Sequence, residues 1–424
     1  MTAHALHVPF VDYDSAHSTT MPLKDAVRRG LLAAKAMPDL PTERVVIERA
    51  CGRILANALS NHDPLPRYDV AVMDGYAIRR GDLIGPGPWT LPVNGRIEAG
   101  TRKNERPECG AGGALEAMTG AQIFGALDAV VPHEHAKRDG DTVKIFRCPS
   151  RNSNIRPRGL DAKRGTSLLP AGHILTPRDI ALLAGMGRPD IVVRDRLRIA
   201  CLSIGSELIE VGTKLSRGQM HDCNRPMLAA MLKQDWTTYL DLGVIRDDPQ
   251  VLATALPLAT ATADVVVVAG GASGGAETAM GEALRDLGAT IVAERIAMNP
   301  GKPVMIATLK GALLLCLPGN PVSAAVLMKV LGWDLLRQRV GLPLVSQPTT
   351  EAVAGFRMQG KPGRAEFPLV TIKEINSNEV PVLNIVPDAH SGNLRRLSEA
   401  DGFAHIAADH PVIEPGSKLK WTRF

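Results

Sequence analysis

Aromatic residues are scarce: Phe, Trp and Tyr together make up 4% of 424 residues, so the cores must be built from Leu, Val, Ile, Ala and Met. The six cysteines, Cys51, Cys109, Cys148, Cys201, Cys223 and Cys316, include no C-x-x-C pair. That spacing gives no basis for a zinc site or a disulfide framework and suits reduced thiols in a cytosol. No window reaches about 18 uninterrupted apolar residues, so no membrane span is expected. Charge of neither sign collects in a block. Lys and Arg number 49 against 44 Asp and Glu, mixed along the length to a net +5, which argues against a nucleic-acid tail or a polybasic membrane patch. The small positive excess suits a small anionic substrate. A P-loop is missing, and Gly270, Gly271, Gly274 and Gly275 cannot be fitted to G-x-G-x-x-G. A P-loop ATPase and a nicotinamide-dependent oxidoreductase are therefore disfavoured.

Glycine (40) and proline (31) are plentiful, which points to many turns and short elements. At roughly 100–200 residues per domain the length allows two to four domains. Residues 1–21 lack the basic start and apolar stretch of a signal peptide and read as a flexible leader. A helical pattern runs from Pro22 toward Ala58, strongest in "LKDAVRRGLLAAKAM". From about 62 to 147 the segments are short, glycine-punctuated and strand-like, which predicts a β-rich domain inserted into a first domain made of 22–61 and 148–196. A second helix is expected from Thr176-Pro177. From 197 to 342 apolar runs such as "LRIACLSIG", "ADVVVVAGG" and "ALLLCL" alternate with helical segments, as in a doubly wound, mostly parallel α/β sheet buried on both faces. Residues 343–424 return to short strands and predict a C-terminal β domain. The fold class is multidomain α/β.

In such a sheet, ligands bind beyond the carboxyl ends of the strands. Three strand ends carry unusual loops: "SIGSEL" from Ser203, "GGASGG" from Gly270, and "LPGNPVSAA" from Leu317. Glycines let the backbone approach a ligand, and exposed N–H groups favour a phosphate or oxyanion. One such loop is often only a tight turn, whereas three on one sheet edge favour a phosphate-bearing ligand. Lys302, after a Pro-Gly turn in "MNPGKPV", is either a solvated turn residue or a point charge for that phosphate. Asp222 and Asn224 precede a helix with Pro226 in its first turn; capping is the simpler role, contact with a metal or ligand hydroxyl the sharper one. Asp74-Gly75 in "VAVMDGYAI" is a short-range signal for a type I′ hairpin.

In order and spacing, "PLPRYDVAVMDGYAI", "MTGAQIFGALDAVVPHE", "NIRPRGLD", "SIGSELIEVGTKLSRGQMHDCN", "GGASGG", "NPGKPV", "LPGNPVSA" and "GRAEF" resemble the molybdopterin molybdenumtransferase family, which includes the C-terminal domain of gephyrin. The resemblance runs over nearly the whole chain from about Pro22. It implies an enzyme of molybdenum cofactor biosynthesis that takes adenylylated molybdopterin and molybdate as substrates, uses Mg2+, and releases AMP. It also implies a cytoplasmic homodimer that binds molybdopterin and serves apo-molybdoenzymes, with a site between the α/β domain of one subunit and the β-rich domain of the other. In that setting Asp74, Glu207 and Asp222 would be catalytic, with Asp222 and Glu207 also the metal ligands. Thr119, Gly271, Ser273, Gly274, Lys302, Pro318, Gly319, Asn320, Pro321 and Ser391 would bind substrate.

The sequence departs from the family pattern at four charged positions. Leu160 stands where a Glu is usual, Ser206 and Thr278 where an Asp is usual, and Asn299 where a Lys is usual. Glu277 sits one residue out of register. Losing one well-placed electrostatic group can cost on the order of 10²–10³ in rate. The alternative function is therefore a catalytically impaired molybdopterin-binding carrier or maturation partner of a molybdoenzyme.

Overall fold

The computed structural model describes residues 20–271, 275–344, 349–409 and 412–424. Most of the leader expected over 1–21, and Ser273 and Gly274, lie outside the described residues. The chain forms two units. One holds Arg44–Cys51 and Leu55–Val192; the other holds the chain up to Glu43, Gly52–Ile54 and Val193–Phe424.

The helical pattern after Pro22 extends only through α1 (Leu23–Ala36). Pro38 and Pro41 follow within five residues, and residues before proline are driven out of the helical region, so the rest of the segment to Ala58 is extended or one-turn structure.

The first-named unit is built on a six-stranded sheet. Its strands are β1 (Gly75–Ile78), β2 (Trp89–Ile97), β3 (Ala114–Ala117), β4 (Ala129–Pro132), β5 (Ala136–Asp139) and β6 (Thr142–Ile145), in the order β4-β1-β3-β2-β6-β5. All neighbours are antiparallel except β2 and β3. Small residues at its centre, Ala77, Ala114, Ala117 and Ala129, are fully buried. The helix α2 (Pro177–Gly185) starts where expected, with Thr176 and Asp179 forming a reciprocal cap.

The other unit carries a second six-stranded sheet: β7 (Leu197–Ile204), β8 (Thr237–Ile245), β9 (Val265–Gly270), β10 (Thr290–Glu294), β12 (Met305–Leu309) and β13 (Ala312–Leu317), ordered β8-β7-β9-β13-β12-β10. A short strand, β11 (Met298–Asn299), lies outside that sheet. The strands β8, β7, β9 and β13 are mutually parallel, while β12 runs antiparallel to both β13 and β10. Between the strands come α3 (Asn224–Leu232), α4 (Pro249–Thr262) and α5 (Gly275–Asp286). One face of the sheet (Ala200, Leu202, Val266, Val268, Leu314, Cys316) packs under Leu252, Leu256 and Leu284 of α4 and α5. On the other face Ile199, Cys201, Val265 and Val267 are fully buried, with α3 against β7 and α6 (Pro321–Leu327) against β13. Near-continuous valine and leucine runs are what a sheet covered on both faces needs. The helical stretch after Pro321 is interrupted: Met328–Gly332 is a π-type turn before α7 (Trp333–Arg339). Burial pushes the thiols of Cys201 and Cys316 in this sheet up to about 12.

The C-terminal strands close a five-stranded barrel from β14 (Thr350–Ala354), β16 (Leu369–Ile375), β17 (Pro381–Ile385), β18 (Gly402–His405) and β19 (Lys418–Arg423), ordered β14-β17-β16-β18-β19. A short strand, β15 (Ala365–Glu366), leaves the barrel to pair in parallel with β11.

Candidate functional site

The strand order around β7 reverses direction: the chain goes from β7 to β8 on one side, then to β9 on the other. Open α/β sheets bind ligands beyond the carboxyl ends of their strands at such a point. Here β9 ends in Gly270 at φ +94°, and a Cβ on it would lie 2.2 Å from the Ile204 carbonyl oxygen at the end of β7. Only glycine fits there. Gly271 follows at φ +68°.

The turn after β13, Pro318-Gly319-Asn320, closes the same edge. A Cβ on Gly319 would come 3.7 Å from the Gly270 Cα, and Asn224 Nδ2 donates to the Gly319 carbonyl at 2.6 Å. Asn320 precedes α6, with Pro321 in its first turn. The backbone N–H of Val322 donates to the Ser391 carbonyl at 3.1 Å, which brings Ser391 to the start of α6. Because β12 is antiparallel to β13, with Met305 opposite Cys316, the loop carrying Lys302 reaches this edge too. Gly271, Pro303 and Val304 line one small cleft with Met280 and Cys316. Glu207 is exposed and folds back over its own turn, its carboxylate oxygens 2.9 Å from where a Gly205 Cβ would be. The edge therefore gathers Gly271, Pro318, Gly319, Asn320, Pro321 and Ser391, with Glu207 after β7 and Lys302 before β12.

Asp222 is differently employed. It is 1% exposed, and its Oδ1 accepts the N–H groups of Asn224 and Arg225 at 3.1 and 3.2 Å, as a residue capping α3 should. Its Oδ2 accepts from Arg225 Nε at 3.1 Å. Arg225, 5% exposed, also pairs with Asp241 at 2.7 Å and with Glu210. A guanidinium thus occupies the centre of this carboxylate group. The sequence shows Arg225 three residues after Asp222, but Asp241 becomes its partner only once β8 lies beside β7, and Glu210 only once Leu208–Ile209 pairs with Met220–His221.

In the sheet of the other unit, Asp74 and Thr119 meet. The Thr119 backbone N–H and its Oγ1 both donate to Asp74 Oδ1, at 2.7 and 2.8 Å. These two bonds, the backbone one first, hold the exposed Asp74 carboxyl below the usual carboxylate range, and His133 and Arg96 act in the same direction. The hairpin expected at Asp74-Gly75 does not form. Val70–Ala71 pairs with Ile155–Arg156, whereas β1 pairs with β3 and β4. Gly75 is required for a different reason: a Cβ there would sit 2.1 Å from the Val131 carbonyl oxygen in the next strand. Leu160 is exposed, and the neighbouring Asp161 carboxylate is already paired with Arg156.

Three family models match consecutive parts of the chain: MoeA N-terminal region (domain I and II) at 21–187, probable molybdopterin binding domain at 200–338, and MoeA C-terminal region (domain IV) at 351–424. A molybdopterin molybdenumtransferase of Haemophilus influenzae is 34% identical over 340 residues, 79% of this chain and 83% of that protein. The chain belongs to the molybdopterin molybdenumtransferase family. Molybdopterin molybdenumtransferase 2 of Mycobacterium tuberculosis is 31% identical over 386 residues, 89% of this chain and 93% of its own. The crystal structure of a molybdopterin biosynthesis MoeA protein from Pyrococcus horikoshii superposes with a TM-score of 0.82 at 26% identity, covering 96% of this chain and 99% of that one.

Family membership makes the donor set for a divalent cation a direct question. Among the described residues no group of three or more His, Cys, Asp or Glu is placed to hold a metal. Asp222 has both oxygens engaged and a guanidinium beside it, and Ser206 supplies no carboxylate. Glu207 is exposed on this edge, Glu294, which lines the small cleft beside Gly271, is paired with Arg285, and the side chains of Glu277 and Thr278 lie outside the described residues. This is a poor fit for a resident Mg2+, which calls for hard oxygen ligands in octahedral geometry.

Proposed function

We propose that this member of the molybdopterin molybdenumtransferase family inserts molybdate into adenylylated molybdopterin, with cleavage of the adenylate and release of AMP. The observation that carries the proposal is the convergence of the β7, β9 and β13 ends, where glycines expose backbone around one edge and Lys302 supplies a cation. Gly271, Gly319 and Asn320 shape the floor with Pro318 and Pro321, and Ser391 closes one side. Ser273 and Gly274, shortly after Gly271 in the sequence, bind substrate with them. Lys302 neutralises ligand phosphate, and Glu207 is the carboxylate open to a reacting group. Asp222 acts through Arg225 and Asn224 on the Gly319 turn. Asp74, kept ionised by Thr119, is a second acid of the site, contributed by a second copy of the chain in a cytoplasmic homodimer. Mg2+ arrives with the substrate phosphates, and no step is assigned to it. The division into 22–61 with 148–196, 62–147, 197–342 and 343–424 is the domain plan that goes with this reading. Apo-molybdoenzymes receive the product.

The second reading, a molybdopterin-binding carrier, is favoured by one set of observations: Leu160 and Ser206 bring no acid, and Asp222 is held by Arg225. The test incubates the purified protein with adenylylated molybdopterin, molybdate and Mg2+, then measures AMP release and activation of an apo-molybdoenzyme. Insertion with AMP release supports the enzyme, and Asp74→Asn should then lower the rate on the order of 10²-fold. Ligand retained through gel filtration without insertion selects the carrier. Absence of both insertion and retained ligand would refute both readings.

A further inference from the structure

The family comparison and the loop geometry leave one buried acid without a role. Glu366, in β15, is 3% exposed. Its Oε1 accepts from Arg364 Nε at 3.0 Å, Arg364 Nη2 at 2.8 Å and the Lys361 backbone N–H at 3.4 Å, and its Oε2 accepts from Asn299 Nδ2 at 2.7 Å. Backbone bonds run in parallel with these contacts. Phe367 N donates to the Asn299 carbonyl at 2.7 Å and Ala365 N to the Ala297 carbonyl at 3.0 Å, while Glu366 and Ile406 exchange N–H···O bonds. Asn299 lies three residues before Lys302. The Lys302 carbonyl accepts the N–H groups of both Ile296 and Val304 at 3.0 Å, so this loop is pinned at its centre and, through Asn299, to the Glu366 carboxylate on β15.

We infer that Glu366 is a positioning residue for the Lys302 loop, acting through Asn299. A buried carboxylate costs free energy unless it is paired. Arg364 already neutralises Glu366, so one oxygen remains to take the neutral Asn299 amide. With the Asn299 amide held by the Glu366 carboxylate, Lys302 is the cation of this loop directed to the ligand. The last point rests on the function proposed above; the clamp itself does not.

Hydrogen exchange, read by peptide mass spectrometry on the full chain, tests the clamp directly. In Asn299→Leu and in Glu366→Gln the amides of Ile296 and Val304 should exchange about tenfold faster, the factor expected for losing one hydrogen bond to a charged group. The sheet amides of Ile306 and Leu315 should stay as they are. Asn299→Lys, which offers Glu366 an ammonium donor, should keep both loop amides slow. Unchanged exchange at Ile296 and Val304 in the first two variants, or fast exchange in all three, would overturn the inference. A second arm measures affinity for adenylylated molybdopterin. If wild type binds and Asn299→Leu binds about tenfold more weakly, the clamp reaches the ligand. Faster exchange with unchanged affinity removes Lys302 from the ligand while leaving the clamp, and a wild type that binds nothing removes the proposed function while the exchange result still stands.

Discussion

Replacing Arg225 by methionine should be among the more damaging single changes in the α/β sheet. The guanidinium is the positive partner of three carboxylates, and these differ in what its loss would cost. Asp241 and Glu210 have side chains 56% exposed, so they rehydrate at little cost. Asp222 is 1% exposed and cannot. It would keep two backbone N–H donors and lose the one cation paired with it among the described residues. Removing one partner of a buried ion pair costs about 3–5 kcal/mol because a charge is left uncompensated. Urea unfolding at neutral pH should therefore show Arg225→Met destabilised by about that amount. Adding Asp222→Asn should recover a large part of it, since the stranded charge is gone while the capping oxygen remains. The same perturbation frees the start of α3, and with it the Asn224 bond to the Gly319 turn, so ligand affinity should fall in the single variant. A loss below about 1 kcal/mol, the size of a surface pair, or a double variant no more stable than the single one, would refute the assignment of Arg225 as the compensating charge.

Gly75→Ala places a Cβ against the Val131 carbonyl oxygen, an atom fixed in a ladder between β1 and β4; chemical denaturation should report a loss of about 3 kcal/mol, and a near-neutral result would mean the strands can separate. His405 lies between Phe367, Phe403 and the Thr422 hydroxyl, and burial, helped by Lys420, pushes its pKa down to about 4 from 6.5. Its folded value is the lower one, so its contribution is complete above pH 6.5 and declines as the pH falls toward 4, reaching a loss of about 2 kcal/mol by pH 5. Between pH 7 and 5 the unfolding free energy of wild type should fall by about 2 kcal/mol more than that of His405→Gln; equal falls would show that the ring is not shielded.

The α/β sheet was legible because its strands are apolar runs bounded by glycine, a local signal. Three of the strand ends that meet at the candidate site were legible for the same reason. The β10 and β12 strands were not, because Arg295, Asn299-Pro300 and Lys302-Pro303 break up the apolar pattern between Thr290 and Leu309, and the turn after β10 places Arg295 rather than glycine at positive φ. Asp74-Gly75 was misread as a hairpin because the residue that demands glycine there, Val131, is 56 positions away in the chain. The cap at Asp222 was legible, being a contact over two and three residues; the charge group around Arg225 was not, since Asp241 arrives by strand pairing. Glu366 illustrates the same limit, because its donor at Asn299 comes from a ladder that neither segment's pattern announces.

The placement of the sulfurs has a practical side. Cys51 and Cys148 are exposed and Cys109 is half-buried, all three in the unit built on β1–β6, whereas Cys201 and Cys316 are buried in the other sheet, with Cys223 half-buried beside it. A thiol reagent added to the native protein at neutral pH would label the first unit first and leave the two sheet sulfurs untouched. Their later appearance would time the opening of the α/β sheet, so the protein carries a tracer for its own unfolding with no residue changed.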